Sequence, residues 1–189
     1  MTKYLDEYIP NSKQKSRQVQ SDDEKLKFLN VLSCAAIVVV PVGSTTMTGV
    51  HLSIKTSKDT KEGKAELKQV LGELQTAAGA GPLDAYIICA WGFHKQGGLG
   101  KGLKKISRAV YLCDVPIDKV DANVDVMVKM LGTRMQASIR QKAEKVLDDR
   151  GQAKMKPGYN YKNAEPGKPG WETDSDSKPW SPVPFTRLL

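Results

Sequence analysis

Cys34 and His51 stand 17 positions apart in a chain of 189 residues, the cysteine at the mouth of one apolar, β-branched run and the histidine inside the next. A thiol and an imidazole brought together form a nucleophile–base pair, in which the imidazole removes the thiol proton and the thiolate attacks an acyl carbon. The chemistry therefore depends on whether two strands meet. Pro41 to Gly49, rich in Gly, Ser and Thr, separates the two runs as the turn of a hairpin would. Alternation from Val50 to Ile54 puts Val50, Leu52 and Ile54 on one face and His51 with Ser53 on the other, which is expected to be polar and open to solvent. Each residue also has a plainer reading. A cysteine beside Ala-Ala-Ile-Val-Val-Val is commonly a small buried hydrophobe, and a lone strand histidine is commonly structural.

Other groups fit their chemistry less well. Cys89, His94 and Cys113 lack the paired ligand spacing of a zinc site, and both cysteines sit in apolar runs that read as core, so no metal is expected. His94 is the competing partner for Cys34 should His51 prove structural. Gly97-Gly-Leu-Gly-Lys-Gly102 matches neither phosphate-loop nor dinucleotide spacing and reads as a flexible basic rim.

The formal charge is +8, with a pI near 9.3. Lys95, Lys101, Lys104, Lys105 and Arg108 lie in an acid-free window between Cys89 and Cys113. No aromatic residue interleaves these lysines, so the window reads as a solvated or partner-binding surface and nucleic acid is not the expected partner. An odd cysteine count argues against a disulfide framework. With no apolar run long enough to span a bilayer and no apolar core of a signal peptide at the start, the expectation is a cytoplasmic protein, or one secreted without such a signal.

Residues 1–24 read as a flexible N-terminal arm, 25–150 as a single domain and 151–189 as a Pro/Gly-rich C-terminal tail. Six of the ten prolines fall in that tail, where Trp171, Trp180 and Phe185 could pin it to the domain. Within the domain, Leu26, Phe28, Leu29 and Leu32 suggest a short helix over residues 24–32. Leu67, Val70, Leu71, Leu74 and Ala78 mark an amphipathic helix that Gly79 to Pro82 stops. Leu83–Trp91 and Val110–Val115 read as strands separated by a loop, Gly92–Ile106. Val120, Val124, Met127, Leu131, Met135 and Ile139 suggest a long helix from Pro116 or Asp118 to about Val146. The fold class is α/β or α+β: a mixed β-sheet sandwich flanked by helices.

Ser33-Cys34, the apolar run after it, the turn, and Gly49-Val50-His51 on the next strand resemble the glutamine deamidases of the chemoreceptor-deamidase and cytotoxic-necrotizing-factor type. The helix, the buried strand ending at glycine, the Gly-rich segment and Asp114-Val115 follow in similar order, so the likeness covers residues 31–115. Two positions depart from the pattern. Leu32 replaces the glycine of the turn before the nucleophile, and Phe28 stands where some members carry threonine.

The resemblance implies a cysteine-dependent hydrolase that converts a protein glutamine to glutamate and releases ammonia, acting as a secreted bacterial effector or toxin. It implies Cys34 as nucleophile, His51 as base, the Cys34 and Ala35 amides as oxyanion donors, and Asn30 or a nearby main-chain oxygen as orienting group. It implies no cofactor, and its partner is a protein substrate. Two rivals stand beside it: a non-catalytic adaptor or immunity-type protein that binds through the basic loop and tail, and a nucleic-acid binder.

Overall fold

The computed structural model describes residues 3–5, 7–8, 20–31, 34–53, 60–96, 98–115, 124–141, 146–147, 153–154 and 180–188, with side chains at most of them. Strands β1 (Lys3–Leu5), β2 (Glu7–Tyr8), β3 (Gln20–Asp22), β4 (Lys25–Val31), β5 (Ala35–Pro41) and β6 (Met47–Leu52) come first. Helix α1 (Lys61–Ala78), β7 (Leu83–Cys89), a 3-10 turn at Trp91–Phe93, α2 (Leu99–Ile106) and β8 (Ala109–Asp114) follow. Then come β9 (Val124–Leu131), β10 (Arg134–Gln141), β11 (Val146–Leu147), β12 (Ala153–Lys154), β13 (Ser181–Val183) and β14 (Thr186–Arg187).

The strands form two main sheets. The five-stranded sheet runs β1-β4-β9-β10-β13 and the seven-stranded sheet runs β14-β8-β7-β5-β6-β2, with β3 also on β6; β11 and β12 pair separately. One apolar cluster lies between the sheets, built from Leu26, Phe28, Ala36, Val38, Ile88, Val126, Val128 and Ile139 among others. A second lies between the seven-stranded sheet and the helices, where Ile37, Val39, Val50 and Leu52 meet Leu67, Leu71, Leu74, Leu99 and Leu103. The result is a three-layer sandwich, sheet on sheet on helices, so the mixed α/β class expected from the sequence holds. Because β5 is buried on both faces, its unbroken Ala-Ala-Ile-Val-Val-Val run is what that position requires.

Local signals set the other elements. Thr60 caps α1, its hydroxyl accepting from the Gly63 N–H at 3.0 Å. Parallel β7 and β8 need a crossover, which α2 supplies. Gly102 lets α2 approach α1 closely, since a Cβ there would lie 2.7 Å from Leu71 Cδ1.

Three expected elements are corrected. The helix expected over residues 24–32 is strand β4, in which Leu26 and Phe28 point inward and alternate with Lys25 and Lys27. The long helix is the β9–β10 hairpin where it is described. Val126 and Val128 pair with Ile139 and Ala137, and Met130 with Met135, around a turn at Gly132, whose φ of +60° favours glycine. Its expected ends at 116–123 and 142–145 lie outside the described residues. The Gly92–Ile106 loop contains α2, entered through Gly98 at φ +77°.

Both chain ends add strands to this frame. β1 pairs with β4, while β2 and β3 share the free edge of β6. β13 pairs with β10 and β14 with β8, so the segment 180–188 bridges the two sheets. Between these strands Phe185 packs edge-on against Tyr86, and Arg140 lies 4.5 Å over the Trp180 ring. Trp171 and the rest of the 151–179 tail, apart from β12, lie outside the described residues.

Candidate functional site

The β5–β6 ladder pairs Ala35 with Leu52 and Ala36 with His51. One step outward from Ala35 and Leu52 stand Cys34 and Ser53. Alternation puts Cys34 on the side of Ala36, Val38 and Val40, and Ser53 on the side of His51; both sides are the inter-sheet face. Continuing the ladder one residue past β5 makes Cys34 and His51 diagonal neighbours on one face, a spacing of about 7–8 Å.

The burial of the pair is uneven. Cys34 is partly exposed at the bend before β5, whereas His51 is only 2 % exposed and Ser53 is buried. The expected polar, solvent-open face around His51 is corrected by the fold: the second sheet covers it, and Phe28 meets the imidazole edge to face at 6.5 Å. The missing signal was β4, which the helical reading removed from opposite His51. Gly49, two residues before His51 on the same face, makes this closure possible. A Cβ there would come within 2.8 Å of Leu26 Cδ1 and 2.9 Å of Phe28 Cζ.

The β5–β7 ladder pairs Ala36 with Ile88, so Ala90 neighbours Cys34 on its other side. The cysteine thus sits at the edge where parallel β7 and β8 end. Open α/β sheets commonly bind ligands outside the carboxyl ends of their parallel strands. At this edge Asp114, the last residue of β8, accepts a hydrogen bond from the Trp91 N–H at 2.9 Å. Ala35 is fully buried at the start of β5. Asn30 belongs to β4, beside the register irregularity between Phe28 and Val31; its side chain lies outside the described residues, as do Leu32 and Ser33.

The other thiols differ from Cys34. Cys89 and Cys113 are fully or nearly fully buried. Burial, reinforced by Asp114 and Cys113, pushes the Cys89 thiol well above its ordinary value. Burial and then Asp114 push Cys113 up to about 12. Neither presents a thiolate near neutral pH. His94 is buried at the end of the 3-10 turn. Among the described residues, no group of three His, Cys, Asp or Glu is placed to hold a metal ion.

Of the basic residues singled out, Lys95, Lys101, Lys104 and Lys105 are exposed, the last three as one stripe of α2. Arg108 does not join them as a free cation. Its Nη2 and Nε donate to the two oxygens of Asp84 at 2.8 and 3.2 Å, and that bond raises its pKa further. Among the described residues no helix is long and apolar enough to cross a membrane.

Compared with protein-family models and with curated proteins, the chain matches none.

Proposed function

We propose that the chain is a cysteine-dependent protein glutamine deamidase with Cys34 as nucleophile and His51 as base. The single observation that carries this reading is the β5–β6 register, which, continued by one residue, makes a partly exposed thiol and a buried imidazole diagonal neighbours at one end of the sheet. His51 accepts the Cys34 proton, and the thiolate adds to the carboxamide carbon of a glutamine side chain. Amide N–H groups at Cys34 and Ala35 hold the oxyanion. Imidazolium returns the proton to the departing nitrogen, ammonia leaves, and a thioester remains. Water, deprotonated by His51, hydrolyses the thioester to glutamate and restores the thiol. Asn30 or a main-chain oxygen near it orients the imidazole.

The test is ammonia release from a mixture of glutamine-bearing peptides, with conversion of glutamine to glutamate read by mass spectrometry. Cys34→Ser abolishes release, and His51→Ala lowers it by about 100-fold or more. Release that survives Cys34→Ser, or wild-type protein that releases nothing, contradicts the reading.

A second reading, a protein-binding adaptor, is favoured by the exposed Lys101, Lys104 and Lys105 stripe. It needs no reactive thiol, so it predicts a silent Cys34 and a partner lost on charge reversal of those lysines.

A further inference from the structure

Residues 180–188 run along one margin of the sandwich and hold two strand edges at once. Among the described residues β13 ends the five-stranded sheet beyond β10, and β14 ends the seven-stranded sheet beyond β8. The main-chain hold is short: three residue pairs with β10 and two with β8, against eight in the adjoining β9–β10 ladder. The Leu188 N–H donates to the Val110 carbonyl at 2.8 Å, and the Thr186 hydroxyl to the Leu112 carbonyl at 3.2 Å.

Side chains supply the rest of the hold. Val183 and Phe185 pack on the cluster between the sheets, Phe185 edge-on to Tyr86 at 5.1 Å, and Tyr86 in turn stacks on Tyr111. Leu188 packs on the cluster under the helices. Trp180 lies against the Arg140 guanidinium, with Lys27 Nζ 5.9 Å from the ring centroid. Main-chain pairing at a sheet edge, with spaced side chains inserted beside it, is how a bound peptide adds to a sheet.

This hold is also a weak one. Trp180, Val183, Phe185 and Leu188 are each only partly buried, whereas the paired core strands β5 and β7 carry fully buried residues. Few ladder pairs and partial burial mark a segment that opens locally, at a lower free energy than global unfolding. Pro182 and Pro184 bring no N–H and are exposed, so the segment's own outer edge is a poor template for another strand. A further strand reaches β8 or β10 by taking the segment's place.

We infer that this margin is a docking groove for an extended segment of a partner protein, with residues 180–188 as its resident and exchangeable occupant. The partner segment carries an aromatic residue followed by apolar residues three, five and eight positions on, the spacing of Trp180, Val183, Phe185 and Leu188. A tethered occupant competes at high effective concentration, so the groove receives a partner in the fraction of molecules whose resident has left. The inference stands apart from the chemistry at Cys34.

The probe is a fluorescently labelled peptide of residues 180–188, titrated by anisotropy into the full chain and into full-length Phe185→Ala and Trp180→Ala. Each variant loosens the resident, so peptide affinity should rise roughly 3- to 10-fold over wild type. Phe185→Ala made in the peptide instead should lower its affinity by a similar factor, and a scrambled peptide should not bind. In native-state hydrogen exchange of the wild-type chain, the Leu188 amide should exchange by local opening, at a rate insensitive to low urea, while β5 and β7 amides follow global unfolding. The inference is overturned if the peptide binds none of these proteins, or binds wild type and both variants equally. It is also overturned if the scrambled peptide binds as well, or if the Leu188 amide exchanges only with global unfolding.

Discussion

Phe28 of the five-stranded sheet meets His51 of the seven-stranded sheet edge to face, ring centroids 6.5 Å apart and planes at 83°. This contact joins the two layers beside the candidate nucleophile, so packing and chemistry share one residue. Phe28→Ala is expected to cost about 3–5 kcal/mol, as for other buried aromatics, read as a lowered urea midpoint. Phe28→Leu, which keeps the sheet-to-sheet packing, should shift the pH dependence of Cys34 alkylation by releasing the imidazole. An unaltered profile in a folded Phe28→Leu protein would separate the contact from the site.

Gly49 supplies the space for that contact. Gly49→Ala forces its methyl against Leu26 and Phe28 at under 3 Å, and the Ile37 carbonyl oxygen at 3.3 Å limits escape. A loss of about 1–3 kcal/mol is expected from overpacking, measured by denaturant unfolding. An unchanged midpoint would mean that the sheets separate without cost.

Asp125 is fully buried on its sheet face and Arg140 nearly so. Removing one partner takes a compensating charge from the other, so Asp125→Ala should cost up to about 3–5 kcal/mol. Replacing both residues by apolar side chains should cost much less than the two single changes together. Additive losses in the double-mutant cycle would contradict coupling between the two.

Stability should fall in alkali. Cys113 is raised from 9.0 to about 12 and Tyr86 from 10.0 to about 12, both mainly by burial. Above about pH 9 the unfolded chain releases protons that the folded chain retains, so rising pH favours unfolding. The contribution is intact below the unfolded values and is lost as pH climbs towards the folded ones. Thermal unfolding from pH 8 to 11 is expected to show a decline that is shallower in Cys113→Ala. The same slope in that variant would assign the decline elsewhere.

Much of the fold was legible where one periodicity stood alone. The β5 run, the α1 stripe of Leu67, Val70, Leu71 and Leu74, and the buried β7 each satisfy a single pattern. The β9–β10 hairpin satisfies two. Val124, Met127, Leu131, Met135 and Ile139 fit a helical stripe, yet Val124, Val126 and Val128 alternate equally well, and β-branched residues around Gly132-Thr133 favour the strand solution. α2 was missed because its glycines dilute a short apolar stripe of Leu99 and Leu103. At the site, the pairing of the two runs that carry Cys34 and His51 followed from the turn-rich segment between them. The burial of His51 did not, because it depends on β4 of a different sheet, 23 positions earlier at Phe28.

The most direct test of the central proposal is the pH dependence of iodoacetamide labelling at Cys34, Cys89 and Cys113, resolved by peptide mass spectrometry in wild type and in His51→Ala. Rapid labelling of Cys34 alone is expected, beginning well below the value of about 8.5 for an ordinary thiol and slowed when His51 is removed. Cys34 that stays inert, or that labels identically without His51, contradicts it.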